Sequence, residues 1–432
     1  MIRFVLTVVA FAFAAPAWAE IDIKEVTSPG GIKAWLVEEP SIPFVAFEFR
    51  FKGGTALDAQ GKRGATHLMV GLLEEGTGDM DAQAFAKASE ELAAQFGYDS
   101  HADAVSISAR VLNENRDDAL DLLRRSLVAP SFPQDALDRV REQVLSGIRS
   151  DLKDPESIAG ARLAELIYGD HPYGSGGEGT LESVAALTQA DMIAAHAGAL
   201  AKDRLFVGVV GDITAEELGP VLDQLLGELP ETGAPMPSAI DVNISGGVDV
   251  VDFETPQSVA VWAQNGIDRE DPDFFAAYVL NTILGGGGFE SRLMTEVREK
   301  RGLTYGVYSY LVLRDLANVY MGSVSSANDR VAQALQVVQD EWARMAEQGA
   351  TDEEVDKAKA LLTGAYPLRF DGNGAIANIM VSMQMDGMPI DYIATRNDRV
   401  NAVTADDVSR VAADLLNRDG MLFVVVGQPE GL

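Results

Sequence analysis

Few residues in this chain have types and spacings that could do chemistry. Its four histidines, His67, His101, His171 and His196, are never three or four apart, and there is no cysteine. A helix grips zinc through two imidazoles at i and i+4 because those positions share a face. Here a histidine site would need residues from distant segments. The lack of cysteine excludes disulfides, thiolate zinc sites, iron–sulfur clusters and cysteine nucleophiles together. His171 precedes a proline in a Gly-rich stretch and reads as turn structure. Arg298 and Tyr305 are a second candidate, in VREKRGLTY, residues 297–305. Gly302 predicts a helix end, with Arg298 closing the helix and Tyr305 opening a strand. A guanidinium and a phenol can both donate hydrogen bonds to a carbonyl that is gaining oxyanion charge. Equally, Arg298 can complement a helix dipole and Tyr305 can pack as a strand aromatic. Residues 292–301 hold four positive and two negative charges in a chain of net charge −32. The run Gly285, Gly286, Gly287, Gly288 is a third feature. Followed by Phe289-Glu290-Ser291 and preceded by no clear strand, it does not fit a dinucleotide loop. It reads as a flexible hinge, or a loop that lets a peptide backbone approach closely. No Walker motif, G-x-S-x-G elbow or Ser/His/Asp set stands out.

The elements that must position these residues come in two copies. Leu187 to Gly211, LTQADMIAAHAGALAKDRLFVGVVG, returns as Val403 to Gly427, VTADDVSRVAADLLNRDGMLFVVVG, at a constant offset of 216 residues. Each copy predicts an N-capped amphipathic helix followed by a buried strand. Residues 230–247 are rich in Pro, Gly, Ser and Ala without helical periodicity and read as a linker. Strands are expected at Lys33–Glu38, Phe44–Phe51, Val248–Phe253 and Ser258–Asn265. Helices are expected over 81–96, 113–128, 133–153 and 157–168, then near 272–284, 289–300, 327–348 and 351–364. This mixture lacks strict βαβ alternation. It predicts an α+β chain of two homologous domains, 20–229 and 248–432, each an antiparallel-rich sheet covered by helices. The two halves are expected to fold independently.

Composition narrows the partners. With 66 acidic and 34 basic residues, the chain lacks the clustered cations that nucleic acids or anionic membranes require. Residues 1–19 read as a secretion signal: Arg3, an apolar run from Phe4 to Ala15, then Ala17-Trp18-Ala19 as a cleavage site. The run is too short and too early interrupted by Pro16 for a membrane span. An exported, periplasmic protein without stable membrane insertion is the expectation.

The segment GATHLMVGLLEEGT, residues 64–77, resembles the inverted zinc motif of the pitrilysin/insulinase peptidase family. The likeness continues through His171-Pro-Tyr-Gly, Gly179-Thr180 and the repeated unit, and is strongest in LNTILGGGGFESRLMTEVREKRGLTYGVYS, residues 280–309. That family carries His-x-x-Glu-His on a helix and a distant Glu as third ligand. Here His67 keeps the first position, Val70 replaces the general base, Gly71 the second His and Gly147 the distant Glu. Glu142, five residues from Gly147, lies about 140° around the helix. The resemblance therefore implies no zinc on this chain. It implies that Arg298 and Tyr305 match the family's Arg/Tyr pair, which faces a zinc across the cleft, and that the Gly run lies in a lid near it. It further implies half of a clamp-like chamber, an extended peptide as substrate, and a related zinc-bearing partner with the intact motif. A peptide-binding or scaffolding homologue that has lost the chemistry is the alternative.

Overall fold

The computed structural model describes residues 21–432. The secretion signal read over residues 1–19 lies outside them. The first sheet holds β1 (Lys24–Thr27), β2 (Lys33–Glu38), β3 (Phe44–Lys52), β4 (Gln95–Ser100), β5 (Ala104–Leu112) and β6 (Leu205–Gly211). The second holds β7 (Gly247–Asp252), β8 (Gln257–Asn265), β9 (Val307–Leu313), β10 (Asn318–Ala327) and β11 (Leu422–Gly427). Their spatial orders are β1-β2-β6-β3-β5-β4 and β7-β11-β8-β10-β9. Apart from the extra edge strand β1, the two sheets share one topology.

The repeated segment sits at the same place in both. β6 runs parallel to β2 and antiparallel to β3, and β11 runs parallel to β7 and antiparallel to β8. The preceding helices, Gln189–Ala199 and Ala405–Leu415, each begin with a capping box, Thr188 with Asp191 and Thr404 with Asp407. Both strands end on a glycine with nearly the same backbone, φ 150° at Gly211 and 148° at Gly427. A side chain there would run into Phe44 in one copy and Ser258 in the other. The repeat thus extends to the backbone.

Seven helices position the site: α1 (Ala65–Val70), α2 (Gln134–Asp151), α3 (Pro155–Tyr168), α4 (Phe274–Asn281), α5 (Asp352–Gly364), α6 (Asn373–Met385) and α7 (Tyr392–Ala402). Each sheet buries one face against helices of its own half. Phe47, Phe49 and Phe51 of β3 lie in the first such core, Trp262 and Phe423 in the second. The opposite faces are covered by exchange. Ala159 and Leu163 of α3 pack on Val261, Ala263, Val424 and Val426 of the second sheet. Ala377 and Met380 of α6 pack on Val210 of the first. Polar ties follow the same exchange: Arg162 to Asp249 at 2.9 Å, Lys52 to Asp315 at 3.3 Å, and the Gln384 amide donating to the Val207 carbonyl at 2.9 Å. The halves expected to fold independently thus each leave one sheet face to the other half. Neither sheet has both faces covered by its own half, while residues 230–246 between them hold no helix or strand.

Two local readings also change. The helix expected over 81–96 stops at Glu91, and Gln95 already begins β4. The first half of the glycine run is regular structure: Gly285 and Gly286 lie within a helical turn, and Gly287 and Gly288 follow it. Residues Thr282–Gly286 continue α4 as a π-helical turn. Gly285 is buried there, and a Cβ on it would lie 2.7 Å from the Ser309 nitrogen on β9. The glycine is needed for close helix-to-strand approach.

Candidate functional site

The N-terminus of α1 is built by a buried carboxylate. Asp58 accepts hydrogen bonds from the Gly64 and Thr66 backbone N–H groups, each at 2.8 Å, and pairs with Arg63 at 3.4 Å. This fixes the orientation of His67 one turn later. The His67 Nδ1 lies 3.0 Å from the Ser100 hydroxyl at the end of β4. Burial pushes the imidazole below its ordinary pKa, against the opposing pull of Glu178 and Asp58, which favours the neutral ring.

His67, Val70, Gly71 and Gly147 all line one cavity of about 440 Å³ between α1, β4 and α2. The sequence positions assigned to the degenerate motif therefore do converge in space. Gly71 keeps the helical register, since its N–H bonds to the His67 carbonyl at 3.1 Å. A Cβ at Gly147 would meet nothing within 4 Å, whereas one at Gly71 would lie 3.3 Å from Val140. Chemically the set fails the test for zinc: of the four, only His67 offers a donor atom. Among the described residues no group of three or more His, Cys, Asp or Glu is placed to hold a metal. Glu142 points elsewhere, pairing with Arg149 at 3.8 Å. Sequence reasoning missed Tyr98, Ser100 and Glu178, which also line the cavity. The signal for the first two was the alternation within QFGYDS, whose first two residues the expected helix over 81–96 overlaps.

Arg298 and Tyr305 flank a tight helix end. Met294–Glu299 is a π-helical segment, and the Lys300 N–H bonds to the Thr295 carbonyl at 3.0 Å. It closes at Gly302, with φ +60°, whose N–H reaches the Arg298 carbonyl at 2.9 Å, while the Leu303 N–H reaches Val297 at 3.0 Å. The turn that follows is pinned to β10 by the Thr304 hydroxyl, which donates to the Ser325 carbonyl at 2.6 Å. Tyr305 precedes β9 rather than lying within it, and is 87% exposed.

The basic character of this region is largely neutralised. Glu296 takes Lys300 at 2.6 Å and Arg301 at 2.7 Å, and Glu354 takes Arg292 at 2.6 Å. Arg298 differs. Its guanidinium lies 4.7 Å from the centre of the exposed Phe289 ring, and among the described residues it has no carboxylate partner. Neither Arg298 nor Tyr305 lines the His67 cavity. His171 and His196 make structural contacts, and His101 is exposed. The His171 ring accepts from the Tyr173 N–H at 3.2 Å and reaches the Ser238 carbonyl at 3.1 Å, and His196 reaches the Leu127 carbonyl at 2.7 Å.

Residues 33–180 match the family described as Insulinase (Peptidase family M16), and residues 186–362 match the Peptidase M16 inactive domain. A crystal structure of a peptidase M16 inactive domain from Pseudomonas fluorescens is similar with a TM-score of 0.88 and 31% identity, over 94% of this chain and 98% of that one. The chain belongs to the M16 peptidase family. Among M16 relatives, an uncharacterized zinc protease of Streptomyces coelicolor is 28% identical over 93% of this chain and 89% of its own length. The non-peptidase homolog YmxG of Helicobacter pylori is 24% identical over 99% and 98%. This M16 chain retains the frame of the motif cavity and lacks three of the four residues that the motif requires.

Proposed function

We propose that this chain is the metal-free subunit of an exported, two-chain M16 peptidase. A related partner carries the intact His-x-x-Glu-His motif and zinc. This chain contributes Arg298, Tyr305 and half of the chamber that encloses an extended peptide. The observation that carries the reading is the contrast between two sites. The motif cavity has kept its walls and lost its ligands, whereas Arg298 and Tyr305 stand uncommitted beside an anchored turn. Both side chains would donate hydrogen bonds to the peptide carbonyl as negative charge develops on its oxygen. Within residues 285–288, Gly285 would set the packing of the turn, and Gly286, Gly287 and Gly288 would lie along the path of the peptide. The periplasm is the compartment this reading assigns, from residues 1–19.

A second reading has its own support in the relative named a non-peptidase homolog, which aligns along nearly all of this chain. On that reading the chain binds or scaffolds peptides without chemistry. Reconstitution with a zinc-bearing relative separates the two. Turnover of a quenched fluorescent peptide is measured for wild type, Arg298→Ala and Tyr305→Phe, alongside size-exclusion and thermal melting. A drop in turnover of about 10²–10³ with assembly intact is the expected outcome. Tyr305→Phe cleaving within a factor of about two of wild type would support the scaffold instead.

A further inference from the structure

A second cavity, of about 620 Å³, opens between α4, the far end of β9, α6 and α7. Its charge runs against that of the molecule. Arg269, Arg369 and Arg396 line it together with one carboxylate, Asp386, in a chain of net charge −32. Arg269 and Asp386 neutralise each other at 2.9 Å. Arg369 and Arg396 remain.

Arg396 is 4% exposed, and among the described residues every partner it has is neutral. It donates to the Leu362 carbonyl at 2.8 Å, the Asn397 side-chain oxygen at 2.9 Å and the Tyr278 hydroxyl at 3.4 Å. The Tyr366 and Tyr278 rings lie 4.4 Å and 5.5 Å from its guanidinium carbon. Buried cations ordinarily carry a paired anion, because desolvation is otherwise uncompensated. Aromatic faces and carbonyls offset part of that cost and hold the group rigid. A fixed guanidinium at a cavity wall, with a second one at the exposed side, suits a carboxylate or phosphate. The phenol rings of Tyr278, Tyr366 and Tyr392 suit a flat or aliphatic body. The volume is that of a small-molecule site.

We propose that this cavity binds a small organic anion, with Arg396 and Arg369 on its carboxylate or phosphate and the three tyrosines around its apolar body. The site is separate from the His67 cavity and from Arg298 and Tyr305, and it does not depend on the two-chain reading.

The test is calorimetric titration and thermal shift of the full mature chain with four probes: N-acetylphenylalanine, its neutral amide, phenyl phosphate and inorganic phosphate. Saturable binding of an organic anion at millimolar concentration or below, with the amide inert, is the expected result. Response to the carboxylate alone or to the phenyl phosphate alone assigns the head group. Binding of inorganic phosphate as tight as that of phenyl phosphate would remove the tyrosines from the proposal and overturn it as stated. Arg369→Gln, at an exposed position, should weaken binding about tenfold or more. Tyr392→Ala should weaken the aromatic probes without unfolding the chain. Arg396→Gln is informative only if it melts as wild type does, and the other two variants decide without it. Failure of both organic anions to bind, equal binding of acid and amide, or unchanged affinity in folded Arg369→Gln would overturn the proposal.

Discussion

His67 illustrates how much a single residue can retain after its partners are lost. It keeps its place on α1, its contact to Ser100 and a half-buried, neutral-favouring setting, yet faces Val70, Gly71 and Gly147. One imidazole does not hold zinc. We expect elemental analysis of untagged protein to give well under one zinc per chain, unchanged by His67→Ala. The G71H/G147E variant should acquire about one, removable by chelation, because position 147 opens into free space and Val140 has to yield only slightly at 71. Wild-type protein with stoichiometric zinc would contradict the first expectation. Glu48 carries a second prediction. Burial pushes its carboxyl up to about 7, with Arg50 opposing and Asp99 assisting. Its folded value lies above the ordinary 4.5, so ionisation works against the fold. That penalty is absent at low pH, grows between about 4.5 and 7, and is constant above. Glu48→Gln should therefore melt higher than wild type near pH 8, by on the order of a couple of degrees, and alike near pH 4. Equal melting shifts at both pH values would refute the assignment.

At the scale of elements, the repeated helix–strand unit was legible because its determinants are local. Thr188 and Thr404 bond to the N–H groups three residues on, and Asp191 and Asp407 return the bond. Replacing either Thr by Ala should cost about 1 kcal/mol, read as a shift of the denaturation midpoint. The requirement for glycine at 285 lies across space. Gly285 faces Ser309 on β9, and a methyl group at that position would meet both the Ser309 hydroxyl and, at 2.7 Å, its backbone nitrogen, which is paired in the sheet and cannot yield freely. Gly285→Ala should destabilise by about 1–3 kcal/mol, whereas a mobile loop would accept it with little change in melting temperature.

Across the whole molecule, the two halves are related by duplication and joined by exchange. α3 and α6 each cover the sheet of the other half. Expressed separately, residues 20–229 and 248–432 would each expose an apolar sheet face and an apolar helix face. We expect either fragment alone to aggregate or to melt far below the intact chain, and co-expressed fragments to recover a stable complex on size-exclusion chromatography. Two fragments that each melt cooperatively near the intact temperature would show the exchange to be dispensable.

What the amino-acid order determined alone was whatever rests on composition or on neighbours a few residues apart. A missing donor atom at 70, 71 and 147 is missing in any fold, and a capping box closes over three residues. Tertiary structure decided what depends on partners far along the chain. Glu354 claims Arg292 from 62 residues away, and Glu296 claims Arg301, which leaves Arg298 as the cation of that helix without a carboxylate among the described residues. Arg396 meets Tyr278 across 118 residues. Periodicity marks a face as apolar or a cation as present, but it is the long-range packing of sheets and helices that selects which surface covers that face and which charge is left free.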